Sequence, residues 1–182
     1  MAPIGTVAGE DKIVVDRNRV GERLRRVARG AGAGVAATLA MSVVQWPGSI
    51  AKARRPPPVE ITKRFSRMRP GRTSQGIELV SEAVIAHLVF GAAAGAVYGA
   101  FAPRARRIVS GVGYAGTIWG VSYLGVLPTL RLMPAAARDD RARQVSNALA
   151  HVAFGLVLAG VMSVTEGERS ADDAPDHAAG RS

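Results

Sequence analysis

Four stretches of this chain carry no Asp, Glu, Lys or Arg: residues 30–51, 83–103, 108–130 and 144–165, which are 22, 21, 23 and 22 residues long. An α-helix rises about 1.5 Å per residue, so each stretch is roughly 30 Å long, the hydrocarbon thickness of a bilayer. Four matches to one length constrain the fold more than any other feature. The low mean hydropathy, +0.12, averages these windows with Arg-rich connections. The alternative is a soluble bundle of glycine-rich helices. Helices of that kind keep a polar stripe toward water, whereas these windows hold only isolated Ser, Thr, Gln, Asn and His. The expected fold is all-α: an integral membrane up-down bundle of four transmembrane helices spanning those windows.

The flanks carry the charge. Residues 1–29 form a basic N-terminal segment, expected to be disordered up to residue 12. Beyond it Val20, Leu24 and Val27 recur at i, i+4 and i+7, with Arg17, Arg19, Arg23, Arg25 and Arg26 around them. Such an amphipathic helix lies on anionic lipid before the chain turns into the bilayer. The net charge of +10 fits that partner better than nucleic acid, since Trp46 is the only aromatic residue before Phe65 and no recognition motif occurs. Ala51-Lys52-Ala53 imitates a signal-peptide cleavage site, but the apolar window before it exceeds the 7–15 residues of a signal core, so the first helix is expected to be retained.

Residues 52–82 are the longest connection, and Pro56-Pro57-Pro58 predicts an extended exit from the first span. Residues 166–182 read as a disordered acidic tail, in which Asp172, Asp173, Asp176 and His177 are solvated rather than metal-binding. Asp139 and Asp140 stand among arginines and read as ion-pair partners. For a four-span chain the basic residues divide twelve and twelve between the two sides, so charge does not orient the protein.

Residues 86–100, AHLVFGAAAGAVYGA, place His87, Gly91, Gly95 and Gly99 at four-residue intervals, on one helical stripe. Lipid gives helices no hydrophobic reason to associate, so close approach at small residues supplies the contact instead. Gly91, Gly95 and Gly99, and Gly116 and Gly120 in the third window, are therefore expected helix-packing positions; Gly30, Gly34 and Thr38 repeat the device in the first. Two of the strings, GVGYAG at 111–116 and GAGVAA at 32–37, imitate a dinucleotide fingerprint. That motif works only after a buried strand, which neither has.

The opening AHLVFG returns as AHVAFG at 150–155. An up-down order brings His87 and His151 toward the same membrane face, about 4.5 Å apart in depth at 1.5 Å per residue. With Glu82 and Asn147 they form a candidate polar or protonatable cluster. In the simplest reading each histidine bonds a polar neighbour across a helix interface. A cluster that changes charge between about pH 5 and 8 competes with it, as does a pair of ligands for haem or a metal ion. No P-loop, nucleophile elbow or His-Glu-x-x-His motif occurs, and the absence of cysteine excludes thiolate chemistry and disulfides. No cofactor and no enzymatic activity are expected.

PPPVEI after the first window, AHLVFGAAAGAVYG, the Gly-Tyr-Ala-Gly-x-x-Trp-x-x-Ser-Tyr-Leu-Gly run of the third window, the LP…LMP connection and AHVAFG together resemble the YagU-like small bacterial inner-membrane proteins over residues 30–165. The resemblance implies four spans, a plasma-membrane location and cytoplasmic termini, and assigns no catalytic residue. It leads to the expectation of a structural or accessory membrane protein, with an oligomeric channel or transporter subunit as the alternative. A homo-oligomer or a larger membrane complex is the expected assembly.

Overall fold

The computed structural model describes residues 10–51, 57–68, 75–103, 105, 107–133 and 138–172, and among them no strand occurs. Helix α1 runs unbroken over Glu10–Ala51, 42 residues. The basic segment and the first apolar window are thus one rod, without the turn expected between them. At about 1.5 Å per residue that rod is roughly 60 Å long, twice a bilayer core. On its N-terminal half Val20 and Leu24 are half or more exposed.

The Pro-rich connection departs from expectation more sharply. Pro57–Arg67 is a helix, α2. Proline is tolerated in a first helical turn, where its missing N–H would have had no partner, and its fixed φ suits the helix. Glu60 in that turn complements the helix dipole and pairs with Arg64 one turn on, Oε1 to Nε 3.1 Å. Val59 is buried against Leu79 and Ala83, which seats α2 on α3.

Helix α3 is Gly76–Phe101. It stops where Pro103 forces Ala102 into extended backbone, φ −64° and ψ 136°. Helix α4 begins as Arg107–Gly120, widens into a π-helical stretch over Val121–Val126 and closes with Leu127–Thr129. Pro128 explains the widening: it offers no N–H to the carbonyl four residues back, and the Leu127 N–H reaches Ser122 O instead of residue 123. Helix α5 is Arg141–Asp172, so the chain is helical six residues past Glu166, where the tail was expected to begin. Residues 173–182 lie outside the described residues, and with them the Asp173, Asp176 and His177 reading.

Helix α1 packs on both α3 and α5, and α4 packs on α5. The shared core is built largely of small side chains, Ala33, Ala37, Ala94, Ala115 and Ala150, closed by Tyr98, Phe154, Leu158 and Met162. Gly30 and Gly34 of α1 meet Gly91, Gly95 and Gly99 of α3 backbone to backbone: a Cβ on Gly30 would lie 2.9 Å from Gly99 Cα, and one on Gly95 2.7 Å from Gly34 Cα. Neither helix has room for a methyl group at this crossing. Gly116 and Gly120 are a correction to the packing stripe expected in α4. Nothing lies within 4 Å of a Cβ at either; the contact belongs to Gly111, where a Cβ would come 2.5 Å from Gly155 O on α5. Four-residue spacing marks a smooth row, and this helix has several.

Three helical segments, Arg19–Gln45, Gly76–Phe101 and Arg141–Gly167, are long and apolar enough to cross a membrane. Only about a third of each segment's apolar window is buried in the bundle. Val43, Val89, Ile85, Val109, Leu124 and Val164 face outward, as lipid-facing surface does and as a water-soluble fold avoids. Hydroxyls within these helices bond carbonyls one turn back: Thr38 to Gly34, Ser42 to Thr38, Ser163 to Ala159 and Thr165 to Val161, at 2.8–3.0 Å. These hydroxyls are satisfied without water. The window 108–130 is helical over 107–129, but its π-helical stretch leaves no regular α-helix longer than 14 residues.

Candidate functional site

One end of the bundle gathers the C-terminal turns of the first apolar span, the start of α3, the π-helical part of α4 and the head of α5, with α2 lying against them. A cavity of about 280 Å³ opens there. His87 from α3 and His151 from α5 both line it. His151 Nδ1 bonds the Asn147 carbonyl at 2.8 Å, which fixes the ring by its own helix. His87 Nε2 is buried and has no hydrogen-bond partner among the described residues. Asn147 also lines the cavity, its Oδ1 accepting from Gln45 Nε2 at 3.1 Å across α5 and α1. Glu82 is not among the lining residues: it lies five residues before His87, more than a full turn, and so comes round to another side of α3. The four candidates thus separate into three that share one cavity and one that does not.

Several contributors were not singled out from sequence. Trp119 and Tyr123 stack in parallel, ring centroids 5.7 Å apart, and form one wall. Trp119 Nε1 is buried and, like His87 Nε2, has no partner among the described residues. The Tyr123 hydroxyl donates to Asp139 Oδ2 at 2.6 Å, and Asp139 in turn lies 3.5 Å from Arg143. The π-helical stretch is thereby pinned to the head of α5, where Asp140 Oδ1 accepts the Arg143 N–H at 3.1 Å as an N-cap. Asp139 pairs with an arginine, and Asp140 caps the helix. Gln45 stood in the sequence as one amide in an apolar run, a signal that a polar partner on another helix was needed.

The lining holds Gln45, Thr62, Ser122 and Asn147 as polar groups, and neither Lys, Arg, Asp nor Glu. Beside the histidines and the two aromatic rings, the larger apolar side chains are Met41, Ile61, Phe90, Ile118, Leu127 and Met133. Such a site, apolar with a few convergent hydrogen-bonding groups, suits a small neutral molecule better than an ion. Haem fits it poorly: its two propionates have no cation to meet here, and the volume falls at the lower end of small-molecule pockets. No group of three or more His, Asp or Glu side chains that would hold a metal ion occurs among the described residues.

At the opposite end, Glu166 of α5 pairs with Arg107 of α4 and lies 4.0 Å from Arg26 Nε of α1. Arg26 also donates to Ala102 O at 2.9 Å, where α3 ends. Tyr98 there packs on Tyr114, centroids 5.4 Å apart, and bonds Arg107 O and Ser110. These groups tie four helices together. The site is at the histidine end.

The glycine string 111–116 lies wholly within α4, and 32–37 wholly within α1; neither follows a strand. The model of a family of unknown function, DUF6789, matches residues 24–173 of the chain, and the chain belongs to that family. No curated protein and no solved structure matches it.

Proposed function

We propose that this family member is a four-span integral membrane protein that holds a small membrane-borne molecule in its histidine-lined cavity and carries out no chemistry of its own. The observation that carries this reading is the convergence of five helices on one cavity free of Lys, Arg, Asp and Glu, two of whose lining residues, His87 and Trp119, carry a buried ring nitrogen without a partner among the described residues. A buried polar atom without a partner costs stability, about 1–3 kcal/mol, and a bound acceptor would remove that cost.

The proposal extends to location: a bacterial plasma membrane, with both termini in the cytoplasm and the cavity toward the outer face. The resemblance of residues 30–165 to YagU-like proteins supports it. A pore through a single chain is disfavoured because Ala37, Leu158 and Met162 are fully buried along the bundle axis; conduction would need an oligomer. The basic turns of α1 around Arg17, Arg19 and Arg23 would contact anionic headgroups.

Native mass spectrometry of protein extracted with its surrounding lipid tests the binding reading. The expected spectrum shows the chain with one small molecule attached, lost when Ala83→Phe fills the cavity. Bare chain alone, from both forms at gentle activation, would overturn it.

A further inference from the structure

Resting on that reading, the chemistry of the cavity also narrows what it holds. We infer that the ligand is a quinone-class molecule, a neutral ring bearing carbonyl oxygens with an apolar tail, whose ring carbonyls accept hydrogen bonds from Trp119 Nε1 and His87 Nε2. The indole N–H can only donate, so its missing partner must be an acceptor. The imidazole supplies a second donor, from a different helix, when its proton sits on Nε2.

Charge excludes the commoner membrane ligands. A phospholipid phosphate, a fatty acid carboxylate or a haem propionate would be buried without a Lys or Arg, since none lines the cavity. A carbonyl oxygen carries no such requirement. The stacked Trp119–Tyr123 pair offers a flat aromatic wall, against which a planar ring gains contact area.

The tail has a place as well. A second cavity of about 160 Å³ shares His87, Gln45, Pro58 and Ala83 with the first and is lined by Leu39, Val80, Val84 and Leu88. Leu39, Val80 and Val84 are 46–54% exposed on the outward surface of α1 and α3, so this apolar annex adjoins the first cavity on the lipid-facing side. A head in the first cavity and a tail leaving through the second would let the ligand enter from the bilayer without crossing water. The π-helical stretch contributes too: residues 122, 123 and 127 all face the cavity, and a local π-turn in an α-helix is frequently found at functional sites.

The experiment is calorimetric titration of the full-length protein in lipid nanodiscs with a ubiquinone and a menaquinone that each carry one isoprene unit. One quinone is expected to bind saturably at one per chain, and Trp119→Phe and His87→Leu should each weaken it about tenfold or more, the loss typical of one buried hydrogen bond. Both variants should keep their thermal unfolding midpoint within a few degrees, which separates lost binding from lost folding. If neither quinone binds saturably, or if Trp119→Phe binds as tightly as the parent, the quinone assignment is overturned. A tightly held molecule of another class in the native mass spectrum would overturn the assignment and leave the binding reading standing. Bare chain there, with no titration heat here, would overturn both.

Discussion

Glu166 shows how much one side chain can settle. In the sequence it opens what reads as an acidic tail, yet in the fold it is the partner of Arg107, whose side chain is only 9% exposed, with Arg26 close by at 17%. Removing the carboxylate leaves two largely buried guanidiniums facing each other. Glu166→Gln is therefore expected to destabilise the bundle by about 2–4 kcal/mol, measured by denaturant unfolding in mild detergent. Adding Arg107→Gln should recover part of the loss, and strictly additive effects would show that the pair does not matter. Arg131 presents the opposite case. Its φ of 55° lies in the left-handed region, where it ends α4 while Leu132 N–H bonds Leu127 O at 2.9 Å. A six-to-one bond of this kind is the usual helix stop with glycine at the left-handed position. Arg131→Gly should raise stability by about 0.5–1 kcal/mol, because glycine adopts that backbone without the Cβ clash; an unchanged or lower value in the same denaturant unfolding would show that the left-handed backbone here carries no such strain.

Among the helices, glycine divides into positions that touch a neighbour and positions that do not. A Cβ at Gly95 would strike the α1 backbone, while one at Gly116 meets open space. Gly95→Ala is thus expected to cost about 2 kcal/mol or more and to loosen α1 from α3, as overpacking in a close-packed interface does. Gly116→Ala should be neutral or slightly stabilising through helix propensity alone. Equal effects in a thermal unfolding comparison would contradict the packing described here. Spacing showed the row at 91, 95 and 99 because the glycines of α3 within the apolar window fall on one row. It pointed to Gly116 and Gly120 in α4 for the same reason, but the row facing α5 runs through Gly111, and only the partner helix decides between rows. The repeated His–x–x–x–Gly has a consistent structural role: Gly91 lets α3 close on α1, Gly155 lets α5 close on α4, and one turn before each glycine the histidine lines the cavity. That much was legible as a repeat, and the convergence of the two histidines followed from helix direction alone. Helix α2 was not legible, since three prolines signal extended chain unless they fall at a helix start. Nor were Trp119, Tyr123 and Gln45 as cavity residues: Tyr123 lies in the π-helical stretch, which shifts the faces that a 3.6-residue period assigns, and for Trp119 and Gln45 only the packing of the other helices decides which face lines the cavity.

For the whole molecule, the number of crossings turns on α4, the one apolar segment interrupted by π-helical backbone. Its two ends can be placed against α5, which is long and apolar enough to span. Arg107, at the start of α4, pairs with Glu166 near the end of α5, and Tyr123, in the π-helical stretch, bonds Asp139 just before α5 begins. Between those ties Gly111 packs on Gly155. Helix α4 therefore runs antiparallel to α5 over nearly its whole apolar length, and the proposed four-span arrangement has it cross the bilayer beside α5. The 23 residues of 107–129, at up to about 1.5 Å each, cover roughly the 30 Å required. The absence of native cysteine makes this directly measurable. Single cysteines placed at Ala105, in the exposed turn between α3 and α4, and at Arg138, exposed before α5, should react with a membrane-impermeant maleimide from opposite sides, and Met68→Cys, exposed just after α2, from the same side as Arg138→Cys. Labelling of Ala105→Cys and Arg138→Cys from one side would mean that α4 lies along the surface, which would also put the histidine cavity at a different depth from the annex that opens toward lipid. With intact cells and inverted vesicles the same three variants fix the orientation: the proposed one has Arg138→Cys and Met68→Cys labelled from outside, at the end where the cavity opens.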